Sequence, residues 1–234
     1  MRIKKILLSL ISIAVLSTSV PVSATEQTPT KATENVVQDI PVFAQSGTGD
    51  AVLTFSLPAG AYKAHFIHDG KRNFVVKCHK GDDWELLANT IGAYDGYTTL
   101  FDGEVEAYTD SLLEIKADGN WIIVIEQIIA PSTSNIFGVG DQVTGIIQGN
   151  GTNNVVNIIN ANASRNFVVR AYALDGSDWE LLANEIGNYS GQEVFKMKNV
   201  PYYLEIQSDG AWVIDFGRGE ELTTVGAVTT KEAK

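Results

Sequence analysis

The chain has 234 residues, a formal net charge of −11, 44% hydrophobic residues and a single cysteine, Cys78. A surface this acidic repels nucleic acid and anionic lipid, so neither is expected as a partner, whereas a cation or a basic partner suits it. One cysteine allows no disulfide within the chain, so the fold is expected to depend on hydrophobic packing.

The first 24 residues have the pattern of a secretory signal peptide. Three basic residues precede an apolar run from Ile6 to Leu16, and Val22-Ser23-Ala24 gives the small residues of a cleavage site. A membrane anchor is the alternative, but the run is shorter than the roughly 20 residues that span a bilayer. We therefore expect a secreted, extracellular protein with no membrane attachment after cleavage, which lowers the net charge to −14 because three basic residues are removed.

Internal repeats are the strongest signal in the chain. RNFVV occurs at 72–76 and at 165–169, and DWELLANTIGAYDG (83–96) matches DWELLANEIGNYSG (178–191) at 11 of 14 positions. Two further pairs are SLLEIKADGNWIIVIE with YYLEIQSDGAWVIDFG, and GTGD with GVGD. The predicted organisation is a signal peptide at 1–24, a flexible leader at 25–43, repeat 1 at 44–127, a linker at 128–136, repeat 2 at 137–217 and a flexible tail at 218–234.

Each repeat has the pattern of short antiparallel strands. FVVKC and FVVRA alternate, with Phe74, Val76 and Cys78 predicted to face inward, and Asp-Gly pairs mark tight turns before the return strands WIIVIE and WVIDF. No segment after the signal peptide shows a sustained helical period. The predicted fold is all-β: two tandem small antiparallel β-sandwich, jelly-roll-like units that arose by internal duplication.

The four tryptophans are predicted to be structural. Trp121 and Trp212 fall on the strand phase that stays apolar in both copies, so they are core residues rather than sugar platforms. Trp84 and Trp179 begin the DWELLAN strands. Strict alternation places each indole on one face with the next Leu and Ala, which favours a buried indole over a ligand contact.

The motif order also resembles a known kind of module. Gly-x-Gly-Asp, a His68-Asp69-Gly70 turn, an NFVV strand, LLAN-x-IG-x-Y-x-G and ADGNW resemble a small β-rich module of uncharacterised secreted bacterial and archaeal proteins, over about 160 residues. The second copy departs from this module because it has Asn162-Ala163-Ser164 in place of the His-Asp-Gly turn. The YYLEIQSDGAW ending is loosely similar to pre-peptidase C-terminal domains. The resemblance implies a secreted β-sandwich accessory or surface module, and no catalytic residues come with it.

Few residues in the sequence are suited to catalysis or metal binding. His65, His68 and His79 occur only in the first copy, and His65 and His68 fall on opposite strand faces, which prevents a shared metal site. Cys78 matches Ala171 and is expected to be buried and inert. The recurring acids Glu85/Glu180 and Glu114/Glu205 are expected to lie on solvated faces, and no calcium loop motif is present. We therefore predict no catalytic residues, no metal site and no cofactor.

The remaining hypothesis is a non-catalytic secreted module that binds an extracellular glycan or protein of unknown identity. Two weak sites on one chain raise avidity. The candidate ligand-binding residues are Tyr94 and Tyr189, which recur in the Gly-flanked loop IGAYDG/IGNYSG, although tyrosines there can also pack over a sandwich edge. A secreted hydrolase using acidic residues and an extracellular structural protein are the alternatives.

Overall fold

The computed structural model describes residues 37–100 and 103–217. The predicted signal peptide, most of the predicted leader and the predicted tail lie outside the described residues. Within these ranges the chain is all-β and its strands pair antiparallel. The same ranges contain no helix that is long and apolar enough to cross a membrane.

The first half of the fold contains strands β1 to β8. Their bounds are β1 Ile40–Thr48, β2 Ala51–Leu57, β3 Tyr62–His68, β4 Asn73–Lys80, β5 Asp83–Ile91, β6 Tyr94–Thr99, β7 Tyr108–Lys116 and β8 Asn120–Gln127. They form two four-stranded sheets, sheet 1 in the order β1-β8-β3-β6 and sheet 2 in the order β2-β7-β4-β5. The chain thus alternates between two facing sheets in the order of an eight-stranded jelly roll, here called sandwich 1.

The second half repeats this order. Its strands are β9 Asn135–Val139, β10 Gln142–Val143, β11 Ile147–Gln148, β12 Asn153–Ala161, β13 Asn166–Ala173, β14 Trp179–Ile186, β15 Tyr189–Lys196, β16 Pro201–Gln207 and β17 Ala211–Asp215. Sheet 3 has the order β15-β12-β17-β9 and sheet 4 the order β10-β16-β13-β14, with β11 also pairing β16. In this sandwich 2, the short strands β10 and β11 stand where β2 stands in sandwich 1. Equal strand order is what a duplication produces; the duplication itself stays a prediction.

Each sandwich has its own apolar core, built from the inward phase of its strands. Phe74, Val76 and Cys78 face inward from β4, and Trp121 is 3% exposed on β8, as the alternation predicts. Trp212 is also 3% exposed and occupies the same place in the second core. The sequence expectation for these two indoles is confirmed.

The first strand begins before the predicted start of repeat 1. Strand β1 begins at Ile40, four positions before the predicted start of repeat 1. Asp39 anchors its start, because its carboxylate lies 2.6 Å from Lys63 Nζ and accepts hydrogen bonds from the backbone N–H groups of Ile129 and Ala130. The polar composition of the leader hid this anchor, because its partners are distant in sequence.

The two sandwiches share a third, smaller cluster of buried residues. Its members are Ala61, Ile128, Val143, Tyr172 and Tyr203. Ile128 belongs to the predicted linker, which is therefore packed between the sandwiches at this point. Polar contacts join strand β6 of sandwich 1 to β10 and its approach in sandwich 2, where the Tyr97 N–H donates to the Asp141 carbonyl at 3.0 Å.

Candidate functional site

The expectation of buried indoles at Trp84 and Trp179 is wrong. Trp84 is 58% exposed and Trp179 is 63% exposed. The reason is a β-bulge in each DWELLAN strand. Lys77 pairs with Leu86 and Val76 with Ala88, so Leu87 is an extra residue, and the same shift occurs around Leu182.

The bulge reverses the predicted faces. In sandwich 1 both Leu87 and Ala88 face the core and are only 6% exposed, while Trp84 and Leu86 point outward. A bulge inserts one residue against its partner strand and re-aims the side chains on one side of it. Strict alternation cannot hold across the bulge, and in the sequence only the repeated Leu-Leu pair marks its position.

The result is an outward-facing pair of large apolar side chains at the same place in each sandwich. We call Trp84 with Leu86 the first tryptophan patch, and Trp179 with Leu181 the second tryptophan patch. Leu86 is 46% exposed and Leu181 is 44% exposed. The Lys77 ammonium lies 5.1 Å from the centre of the Trp84 ring, where a cation is attracted to the aromatic face.

The predicted binding tyrosines both lie partly buried at the edge of a core. The Tyr94 ring packs against Phe74, and its hydroxyl donates to Asp141 Oδ2 of the other sandwich at 2.8 Å. The Tyr189 ring packs against Phe167, and its hydroxyl donates to Glu193 Oε1 at 3.2 Å. Burial raises the pKa of Tyr94, so the hydroxyl stays protonated and donates. A ligand-binding role for either tyrosine stays a prediction.

A cleft of about 970 Å³ opens between the sandwiches, next to Tyr94. The second half of β5 and the turn that follows line one side. The other side consists of the approach to β13 and the end of β16 with the turn after it. Two isoleucines at equivalent positions, Ile91 and Ile186, line it and are 75% and 78% exposed.

Two carboxylates at the bottom of this cleft join the sandwiches. Asp141 accepts hydrogen bonds from Tyr94 and from the Ser208 N–H, and burial raises its pKa above the usual value. Glu205 Oε1 accepts from the Thr98 hydroxyl at 2.6 Å and the Thr99 N–H at 3.0 Å.

Glu205 also pairs with Arg170 Nη1 at 3.3 Å. Glu205 has the predicted outward phase on its strand but is only 7% exposed, because sandwich 1 covers it. The expectation of a solvated Glu205 is therefore wrong. One repeat read alone cannot show that the other repeat packs over it.

The histidines are distributed as the strand phase predicts. His65 stacks on Tyr97 and contacts Asp95 at 2.7 Å, while His68 lies on the opposite, inward phase and donates from Nδ1 to the Gly92 carbonyl. His79 contacts Glu114 at 3.2 Å. Within residues 37–100 and 103–217, no group of three or more His, Cys, Asp or Glu side chains is placed to hold a metal ion.

Cys78 is fully buried, and burial raises the pKa of its thiol to about 12. A thiol in that state is protonated at neutral pH and does not act as a nucleophile. The expectation of a buried cysteine at this position is confirmed.

No protein-family model matches the chain, and no curated protein matches it. The resemblance of the motifs to a secreted β-rich module therefore stays a prediction.

Proposed function

We propose that this protein is a secreted, non-catalytic binding module that attaches to an extracellular glycan or protein surface through its two tryptophan patches. The observation that carries the proposal is the exposure of both duplicated indoles, at 58% and 63%. Exposed tryptophan beside exposed leucine is unfavourable in water, and tryptophan is enriched at the energetic centre of binding interfaces. Its presence in both sandwiches supports a contact role.

The duplication of the patch supports attachment to a repetitive surface. Two sites on one chain bind such a surface more tightly than either alone, because the second contact forms at a high effective concentration. A polysaccharide or a fibrous protein coat offers repeated sites of this kind. Secretion, which the N-terminal sequence predicts, would bring the module to such a surface.

A secreted hydrolase is the second candidate, and Asp141 is the observation in its favour. Its pKa is raised, as that of a general acid must be, and it lies in a cleft. However, both of its carboxylate oxygens accept hydrogen bonds within the protein, one from Tyr94 and one from Ser208. The same contacts give Asp141 a role in joining the sandwiches, so attachment is the better supported function.

Binding to insoluble material tests the proposal. The full secreted chain and the variants Trp84→Ala, Trp179→Ala and the double variant would be mixed with cellulose, chitin, peptidoglycan sacculi and collagen-coated beads. We expect retention on at least one material, a loss of about tenfold or more for each single variant and near-complete loss for the double variant.

Phe137→Ala is the matched control, because Phe137 is 79% exposed but lies outside both patches. It should be retained like the unmodified protein. Equal retention of the double variant and the unmodified protein, or no retention on any material, would overturn the proposal.

A further inference from the structure

We propose that the cleft between the sandwiches is a second binding site, and that it takes an uncharged, hydroxyl-rich ligand such as a segment of a neutral oligosaccharide. This goes beyond the proposed attachment, because the cleft is lined by residues of both sandwiches and, of the two tryptophan patches, only Leu86 lies along it. The cleft volume of about 970 Å³ is within the range of small-molecule sites.

Polar side chains from both sandwiches line the cleft. Asn89 and Thr90 of β5 line one side of the cleft, and Asn166 of β13 and Gln207 of β16 line the opposite side. Within residues 37–100 and 103–217, none of these four side chains makes a hydrogen bond to protein. Amides and hydroxyls both donate and accept, which matches the hydroxyl groups of a sugar.

Arg165 adds a guanidinium group to the same cleft. Arg165 is exposed beside Asn166, and in the described part of the chain its side chain makes no ion pair or hydrogen bond. Its backbone N–H donates to Asp209, which fixes the main chain without using the side chain. A guanidinium offers five N–H donors in one plane, suited to two neighbouring acceptor oxygens.

The charge of the residues that line the cleft favours an uncharged ligand. Five carboxylates line the cleft, from Glu85, Asp95, Asp141, Glu205 and Asp209, against the two guanidinium groups of Arg165 and Arg170. This excess of negative charge repels an anionic ligand.

A cation also lacks a ready partner in the cleft. Asp141 and Glu205 are occupied by the contacts between the sandwiches, and Asp209 accepts from Ser164 and Arg165. Asp95 contacts His65, and Glu85 also has an interaction partner in the described part of the chain, so each of the five carboxylates is already engaged. A neutral ligand uses the amides and Arg165 without displacing these contacts.

The isoleucines complete the site. Ile91 and Ile186 come from equivalent turns of the two sandwiches and both line the cleft. Ile91 is 75% exposed and Ile186 is 78% exposed, so both offer apolar surface to a ligand. The C–H faces of a sugar ring can contact such side chains while its hydroxyls reach the polar groups.

The test uses soluble oligosaccharides and the internal repeat as its own control. Isothermal titration calorimetry of the full secreted chain would be run against neutral cello-, xylo-, malto- and chito-oligosaccharides, and against oligogalacturonate as the anionic comparison. We expect at least one neutral oligosaccharide to bind, and Arg165→Ala and Asn89→Ala each to weaken it about tenfold.

Arg72→Ala and Asn184→Ala are the matched controls, because these residues occupy the equivalent repeat positions and lie outside the cleft. They should bind like the unmodified protein. All four side chains are exposed, so an unchanged melting temperature is expected throughout.

Three results would overturn the cleft proposal: no neutral oligosaccharide binds, oligogalacturonate binds more tightly, or the control variants weaken binding as much as the cleft variants. The double tryptophan variant separates the two proposals. If it loses retention on insoluble material but keeps oligosaccharide binding, both sites stand. If it keeps retention, only the attachment proposal fails.

Discussion

Each buried tryptophan packs against a glycine on the neighbouring strand, and this contact explains the repeated Gly-x-Gly-Asp motif. Gly47 pairs with Trp121, and Gly138 with Trp212. A Cβ atom added to Gly47 would lie 2.4 Å from the Trp121 ring, and one at Gly138 would lie 2.5 Å from the Trp212 ring. The first glycine of each motif therefore makes room for an indole.

The second glycine and the aspartate of the motif hold the turn around that indole. The Trp121 Nε1–H donates to the Gly49 carbonyl at 2.9 Å, and the Trp212 Nε1–H donates to Gly140 at 3.0 Å. Both glycines have a positive φ, of 72° and 73°, which side chains disfavour. The sequence shows the motif, but its partner indole is more than 70 residues away.

Gly47→Ala and Gly138→Ala are expected to destabilise the protein. Each added methyl group must displace an indole ring from a filled core, which costs about 1–3 kcal/mol of unfolding free energy. Urea unfolding followed by circular dichroism measures this. Ser46→Ala, exposed on the same strand, should change the free energy by less than about 0.5 kcal/mol. An equal effect of Ser46→Ala and Gly47→Ala would contradict the explanation.

At the scale of strands, the alternating segments were predictable and the bulged ones were not. FVVKC alternates between buried and half-buried residues as predicted. In FVVRA the predicted inward residues are also buried, although Val168 on the other phase is buried too. DWELLAN contains an extra residue in each copy, so the same rule placed Trp84 and Trp179 on the wrong face. A bulge is set by pairing with a neighbouring strand, which a single repeat does not reveal.

The bulge predicts that two adjacent leucines contribute very differently to stability. Leu87→Ala removes a side chain that is 94% buried and should cost about 2–4 kcal/mol of unfolding free energy. Leu86→Ala changes a side chain on the outer face and should cost less than about 1 kcal/mol. The same order is expected for Leu182 and Leu181. Chemical denaturation distinguishes the two, and a larger loss for Leu86→Ala would support strict alternation instead.

At the scale of the whole molecule, Glu205 joins the sandwiches, and its equivalent Glu114 does not. Glu114 is on the open outer face of sheet 2, one-third exposed beside His79. Glu205→Ala should cost about 2–3 kcal/mol, because it leaves the Thr99 N–H unpaired and Arg170 without its carboxylate. Glu114→Ala should cost less than about 1 kcal/mol.

Calorimetry tests the coupling that Glu205 provides. The unmodified protein and Glu114→Ala should unfold in one transition, while Glu205→Ala should broaden or divide it. A single unshifted transition for Glu205→Ala would show that the apolar cluster alone couples the sandwiches.

Acid is expected to destabilise the fold. Hydrogen bonds from backbone N–H groups hold the pKa of Asp118 below the usual 3.8, and the Ser164 hydroxyl together with backbone N–H groups lowers the pKa of Asp209. Such carboxylates stabilise the fold fully above pH 3.8, and this contribution is lost as the pH falls through their folded pKa values. Asp141 acts oppositely, because its raised pKa makes ionisation costly as the pH rises.

Seven aspartates in the described part of the chain have a lowered pKa, against one with a raised pKa, so the sum favours acid lability. The unfolding free energy, measured from pH 7 to pH 2, should fall below about pH 4. Asp118→Asn and Asp209→Asn should lower stability at pH 7 and flatten this dependence. A stability that rises on acidification would contradict the assignment.

The all-β class and the paired cores followed from repeats and alternation, but the cleft did not. Arg165, Asn166 and Gln207 come together with Asn89 only because sandwich 2 packs on the edge strand β6. The residues that fix this packing, Asp141 and Glu205, look like ordinary exposed acids in the sequence. Contacts between repeats are encoded in differences between them, such as Tyr203 against Leu112 and Tyr172 against His79.

A further difference between the repeats affects how a second molecule could pack against sandwich 2. Strand β15 stands in sandwich 2 where β6 stands in sandwich 1, yet it carries Glu193 and Val194 in place of Thr98 and Thr99. A second molecule docking its sheet 2 there, as sheet 4 docks on β6, would bring Glu114 against Glu193 without a hydroxyl donor. Two carboxylates would then repel each other, so head-to-tail association of two molecules by this contact is disfavoured.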